Sequence, residues 1–342
     1  PPMARRYLHL ALFILMTLAG YPGAWAQTTE KDFYKGKTVR LIVGFGPGGG
    51  YDVYARMIAP YLAKVLSANV VVENQPGAGG LTALNQIYRA SPDGLQMMLV
   101  QGTGSALAQI TEDRAVRYDL SKVGLLGTAS ASPWVWLVNE KLPYSSPVDL
   151  VRAKAKIRWG AEGPADGLSD GAAMICRSLA IDCQIILGYR SSNEVNLAVA
   201  KGEMDAVYVS DTSANNYVLA GGVRAISTVS IKRSRFFPDV PTIFESIAPT
   251  DEAAWWLTFR TTLDSLGRIL LVPPGLTPER LAFLQAATKD VLTDPQFIDE
   301  GERTQRYVDY ADPAATRERI NSLITSLSNE QREAVKELVM KK

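Results

Sequence analysis

The sequence predicts an α/β protein of two lobes, and three observations carry the prediction. Short β-branched runs alternate with amphipathic stretches, glycine- or serine-rich turns stand before the helices, and the alternation occurs in two sets. Each set reads as a mostly parallel sheet flanked by helices. In such a sheet the strand-to-helix turns line one edge, at the carboxyl ends of the strands, where ligands of open α/β sheets bind. Two lobes facing each other along those edges enclose a cleft.

In the first set, strands are expected over 38–45, 69–72 and 96–100, and helices over 52–66, 81–89 and 106–110. The turns "GPGGGYD", "QPGAGGLT" and "QGTGSA" connect them. The second set places strands over 134–138, 156–159, 184–187 and 206–210, with helices over 146–154, 172–179 and 193–200. Its own glycine-rich turn spans 160–171. A strand over 267–272 is stopped by Pro273-Pro274-Gly275; Thr277 then serves as an N-cap with Pro278 at the first helical position, and Asp312-Pro313 repeats the device. The charged helix over 329–342 is polar enough to lie on the surface.

Composition narrows the function. Lysine and arginine number 36 against 35 aspartates and glutamates, a net charge of +1, so nothing favours nucleic acid or an acidic membrane surface. Lys232, Arg233 and Arg235 beside Phe236 and Phe237 read as a solvated turn. Arg5 and Arg6 precede an apolar stretch over 8–18 and then Ala24-Trp25-Ala26, the pattern of a secretory signal peptide over 1–26 cleaved after Ala26. That stretch is too short to span a bilayer, which takes about 20 residues. A periplasmic protein is expected. The single histidine, His9, lies in the leader, which removes Ser-His-Asp and Cys-His nucleophile systems and histidine-ligated metal sites. Cys176 and Cys183 form either a disulfide closing a short loop or two buried thiols.

The stretch "GFGPGGGYD" has the G-x-G-x-x-G spacing of a dinucleotide-binding turn, with Glu73 further on as a ribose ligand. An exported nicotinamide-dependent oxidoreductase using the turn over 44–49 is therefore one reading. Pro47 stiffens the turn, export removes the protein from the cofactor pool, and no histidine is at hand for acid-base work. A P-loop is excluded because Tyr51 and Asp52 stand where lysine and Ser/Thr are needed. The competing reading needs less. A helix N-terminus carries unpaired N–H groups and partial positive charge, and glycines let an anion approach them. Asp52 is an N-cap or first-turn acid worth about 0.5–2 kcal/mol, and Arg56 is its partner or a cleft cation.

The segments "VRLIVGFGPGGGYDVYAR", "VVVENQPGAGGLTAL", "ASPDGLQMMLV", "AVAKGEMDAVYVSDT" and "FFPDVPTIFE", in that order, resemble the periplasmic substrate-binding proteins of tripartite tricarboxylate transporters, the Bug family. The resemblance covers nearly all of the chain after the leader. It implies a two-lobed periplasmic binding protein-like (type II) fold, with 27–126 and 247–342 as lobe 1 and 127–246 as lobe 2. It implies a monomer that performs no catalysis, carries no cofactor or metal, and closes like a clamshell on a small organic acid. Delivery to membrane permease subunits follows from it, with a sensor kinase ectodomain as the alternative partner.

Carried onto this chain, the resemblance makes Gly46, Gly48, Gly49, Tyr51, Asp52 and Gly79 line the cleft from lobe 1, with Gly102, Thr103 and Ser105 adding donors. Gly163, Ser169, Ser210 and Asp211 contribute from lobe 2. Main-chain amides hold the ligand carboxylate in this scheme, without a charged side chain. Two departures from the family pattern bear on the ligand. Tyr51 replaces a smaller residue, either narrowing the pocket or packing outside it, and Glu162, Asp166 and Asp170 bring an acidic bias that repels a second carboxylate unless those side chains point to solvent or the ligand offers an amine or hydroxyl. Arg190 and Asn193 are placed at the cleft rim, Asp205 on a structural turn, and Trp255 and Trp256 in hinge or core packing.

Overall fold

The computed structural model describes residues 29–164 and 166–340, so the signal-peptide reading lies outside the described residues. The first lobe is built on β1 (Thr38–Val43), β2 (Asn69–Asn74), β3 (Gln96–Gln101), β4 (Gly124–Ser130) and β10 (Arg268–Val272), in the order β2-β1-β3-β10-β4. The second uses β5 (Trp134–Asn139), β6 (Lys156–Gly160), β7 (Asp182–Ile186), β8 (Ala206–Ser210) and β9 (Val223–Val229), in the order β7-β6-β8-β5-β9. The two orders are the same pattern. In each sheet the fourth strand runs antiparallel to the rest: β10 in the first, β5 in the second.

Those reversed strands are the ones the chain enters after crossing from the other lobe. The first crossing runs from Ser130 to Trp134; β4 lies wholly in the first sheet and straddles the expected 126/127 boundary. Reversal has a positional consequence. The first residue of an antiparallel strand lies at the edge where its parallel neighbours end. Arg268 accordingly registers with Gln101 and Ser130, and Trp134 with Ser210 and Val229.

Helices cover both sheets: α1 (Glu30–Tyr34), α2 (Gly50–Leu66), α3 (Leu81–Tyr88), α4 (Gly102–Ile110), α5 (Pro147–Ala153), α6 (Gly167–Leu179), α7 (Ser192–Lys201), α8 (Asp211–Ala220), α9 (Ile243–Ser246), α10 (Asp251–Asp264), α11 (Pro278–Leu292), α12 (Pro295–Arg303), α13 (Pro313–Ser326) and α14 (Asn329–Met340). The expected caps form. Thr277 accepts from the Arg280 amide, and Asp312 from the Ala315 amide, each with proline in the first turn. Helix α6 begins earlier than its apolar pattern suggests because Asp166 caps it, accepting from the Leu168 amide at 2.7 Å.

Cys176 and Cys183 are disulfide-bonded, joining the end of α6 to edge strand β7. Trp256 is buried beside Trp255 in edge-to-face contact, in one core with Met174 of α6. The terminal helix α14 is not solvated all round. Val335 and Val339 enter that same core, and Arg332 donates to the carbonyls of Ile110 and Ile324.

Candidate functional site

The turn after β1 is held by Asp52. This buried carboxylate accepts from the Gly48 amide at 2.9 Å, Arg56 Nε at 3.0 Å and Asn74 Nδ2 at 2.9 Å. Burial pushes its pKa up, but the hydrogen bonds from Arg56, Gly48 and Asn74 outweigh that and hold it below the usual range. Asp52 is thus a first-turn acid paired with Arg56, while Gly49 is the N-cap. Gly48 has a φ of +82°, where a side chain would be strained. Glu73 accepts from Arg40 at 2.6 and 2.5 Å across neighbouring strands, so the acid that a dinucleotide fingerprint assigns to ribose belongs to a sheet ion pair.

The glycines bring backbone against backbone between the lobes. Gly46 donates its amide to the Arg190 carbonyl at 2.7 Å, and a Cβ on Gly46 would lie 2.9 Å from that oxygen. A Cβ on Gly49 would meet Ser191 Cβ at 3.3 Å, and one on Gly163 would lie 2.3 Å from the Gly79 amide. Gln101 Oε1 accepts from the Gly167 amide at 2.6 Å, adding another bond between lobes. Asp166 also accepts from the Glu162 amide at 2.7 Å, and Ser169 donates to the Gly163 carbonyl at 2.7 Å, which ties down the second-lobe turn.

At the meeting of the two sheet edges lies Arg268, 3% exposed. Its Nη1 donates to Ser130 Oγ at 3.1 Å and its Nη2 to Ser210 Oγ, across the cleft, at 2.9 Å. The guanidinium rests over the rings of Tyr54 and Tyr51, 4.2 and 5.2 Å from their centroids. Two small cavities adjoin here. One, of about 20 Å³, is lined by Gly50, Tyr51, Trp134, Ser192, Ser210 and Arg268. The other, of about 30 Å³, includes Gly48, Gly50, Tyr54, Ser213, Tyr217 and Arg306. Each holds little more than one water-sized group. A larger ligand therefore requires the lobes to part.

The acidic groups are handled differently from one another. Glu162 is pushed well above the usual carboxylate range, first by burial and then by the charge of Asp166. Asp211, at the start of α8, is raised by burial although Ser234 Oγ donates to it at 2.8 Å and Tyr307 Oη at 3.2 Å. Asp205 accepts from Arg158 Nε at 2.9 Å and the Arg158 amide at 2.8 Å, a structural pairing. Arg233 pairs with Glu245 at 3.0 Å, and Arg235 with Glu302.

Of the residues expected at the site, Gly48, Tyr51 and Ser210 border the two cavities. Gly46, Gly49, Gly79 and Gly163 lie at the lobe contact, while Asp52 and Asp211 sit behind it. Gly102 and Thr103 pack at the junction of α10 and β10, where Gly102 donates to the Gly267 carbonyl and Thr103 to that of Leu263, and the buried Ser105 accepts at its carbonyl from Tyr118 Oη. The buried charge at this seam that the sequence pattern did not single out is Arg268. Its signal was a charge opening an otherwise apolar strand after Gly267, and its meaning depends on the strand's reversed direction.

Residues 54–338 match the profile described as Tripartite tricarboxylate transporter family receptor. A UPF0065 protein of Bordetella pertussis is 28% identical over 280 residues, covering 80% of this chain and 82% of that protein. The structure of the periplasmic binding protein BugD superposes with a TM-score of 0.76 at 22% identity, over 89% of this chain and 98% of that one. MatC from Rhodopseudomonas palustris, solved with bound malate, superposes with a TM-score of 0.72 at 21% identity, over 89% of this chain and 99% of that one. Both structural likenesses carry the two-lobed fold.

Proposed function

Because this chain belongs to the tripartite tricarboxylate transporter receptor family, we propose that it is a periplasmic protein that captures a small organic carboxylate between its lobes and delivers it to the permease of such a transporter. The observation that carries this reading is the meeting of two sheet edges at one polar seam, where Gly50 opens α2, Asp211 opens α8 and Arg268 opens β10. Helix starts favour anions, and a seam between lobes can close over a ligand by hinge motion. The malate bound by MatC supports an acid of this class. No helix among the described residues is long and apolar enough to cross a membrane.

Calorimetric titration of the protein with a panel of mono- and dicarboxylates tests the reading. One-to-one binding of at least one acid is expected, with a smaller radius of gyration by X-ray scattering. Failure to bind any acid of the panel overturns it.

A further inference from the structure

Among the described residues, Arg260 and Arg268 are buried in the seam region, and Arg260 is paired with a carboxylate. Arg260, 0% exposed, meets Asp264 through Nη2 at 2.5 Å and Nε at 3.1 Å. Arg268 is 3% exposed, yet among the described residues it has no ion pair with a carboxylate; its hydrogen-bond partners are the Ser130 and Ser210 hydroxyls, and its Nε has none. Asp211 is engaged with Ser234 and Tyr307, and Asp264 with Arg260 and Tyr208. A buried cation without an anion is costly, and seryl hydroxyls return only part of its lost hydration.

The surroundings add positive potential. A Cβ on Gly50, the first residue of α2, would lie 3.2 Å from Arg268 Nη2 and 2.7 Å from Ser213 Oγ. Ser210, whose Oγ accepts the hydrogen bond from Nη2, is the N-cap of α8. The starts of two helices and a guanidinium thus converge on one cavity.

We propose that Arg268 is the specificity-determining cation of the cleft: it takes the ligand's ionised carboxylate on its Nε–Nη2 edge, where Nε is unpartnered and Nη2 is held only by a hydroxyl from the opposite lobe. Ser210 then yields its place to a carboxylate oxygen. The cleft selects ionised acids over neutral isosteres of the same shape, because an amide leaves the cation unpaired. This rests on the carboxylate-binding reading above. Arg306, half-buried beside the adjoining cavity with Nη1 on the Thr304 carbonyl, is the competing cation.

The test is calorimetric titration of the wild-type protein, Arg268→Gln, Arg268→Lys and Arg306→Gln with malate, succinate, adipate, lactate and butyrate, and with the corresponding primary amides. Wild type is expected to prefer its best acid over the amide by at least about 30-fold. Arg268→Gln should lose about that factor for the acid and bind acid and amide within about threefold of each other, Arg268→Lys should fall between, and Arg306→Gln should keep the preference. Circular dichroism checks folding; if Arg268→Gln does not fold, Arg268→Lys and the wild-type acid-to-amide ratio still decide. Undiminished acid preference in the Arg268 variants overturns the proposal and leaves carboxylate capture standing, as does a preference lost only in Arg306→Gln. Binding of no acid by wild type overturns both.

Discussion

The Gly46 amide donates to the Arg190 carbonyl at 2.7 Å, so the first lobe's glycine turn ends on the backbone of the second. Closure is therefore set at this point by the lack of a side chain. Gly46→Leu would drive a Cβ to 2.9 Å from the Arg190 oxygen. The variant is expected to fold with an unchanged melting temperature, to lose at least about tenfold in ligand affinity, equivalent to about 1.4 kcal/mol, and to keep a larger radius of gyration in saturating acid. Wild-type compaction in scattering would refute this placement of the contact.

Arg260 and Asp264 form a buried pair that Tyr208 completes, donating its hydroxyl to Asp264 at 2.8 Å. Arg260→Ala leaves that carboxylate enclosed and uncompensated, a loss of about 3–5 kcal/mol. The double variant Arg260→Met with Asp264→Leu should recover most of it. Urea unfolding of the three proteins measures the difference, and equal midpoints would show the pair to be inconsequential.

Asp205 and Glu162 should shape the pH dependence of stability in opposite senses. Hydrogen bonds from Arg158 outweigh burial and hold Asp205 below 3.8. Its contribution is complete above pH 3.8 and is lost as pH falls through the folded value. Asp205→Asn should flatten that acid limb in thermal melts.

Glu162 is raised well above 4.5 by burial and by Asp166, so the unfolded chain ionises first. Stability falls as pH climbs from 4.5 toward the folded value. Glu162→Gln is expected to be more stable than wild type at pH 7 and equal to it near pH 4. A variant less stable at pH 7 would contradict the assigned shift.

The disulfide spans a sequence separation of 7 between Cys176 and Cys183. Closing so short a loop restricts the unfolded chain by about 2–3 kcal/mol. Replacing both cysteines by serine should lower the denaturation midpoint accordingly, with ligand affinity within about twofold of wild type, because the bridge lies at α6 and β7 rather than at the seam. A matching loss of affinity would tie this edge to the cleft.

Much of the molecule was legible in its sequence because the signals are local. The β-branched runs, the caps at Thr277 and Asp312, and the glycine turn from β1 into α2 depend on neighbours a few residues apart. The Asp52–Arg56 pair follows from helix periodicity, and the family follows from the order of the motifs. Where the glycines lie could be read; what faces them could not. Gly46 meets Arg190 and Gly163 meets Gly79 only once the lobes are set against each other. Arg268 is the clearest case. In the chain it is one charge before an apolar strand, but reversal of β10 carries it to the edge where β3 and β4 end, within 2.9 Å of Ser210 in the other lobe. Strand direction and lobe contact are decided by pairings between residues far apart along the chain. The sequence by itself determined the elements, their caps and the family, and the tertiary structure decided which charge is enclosed with no carboxylate partner among the described residues.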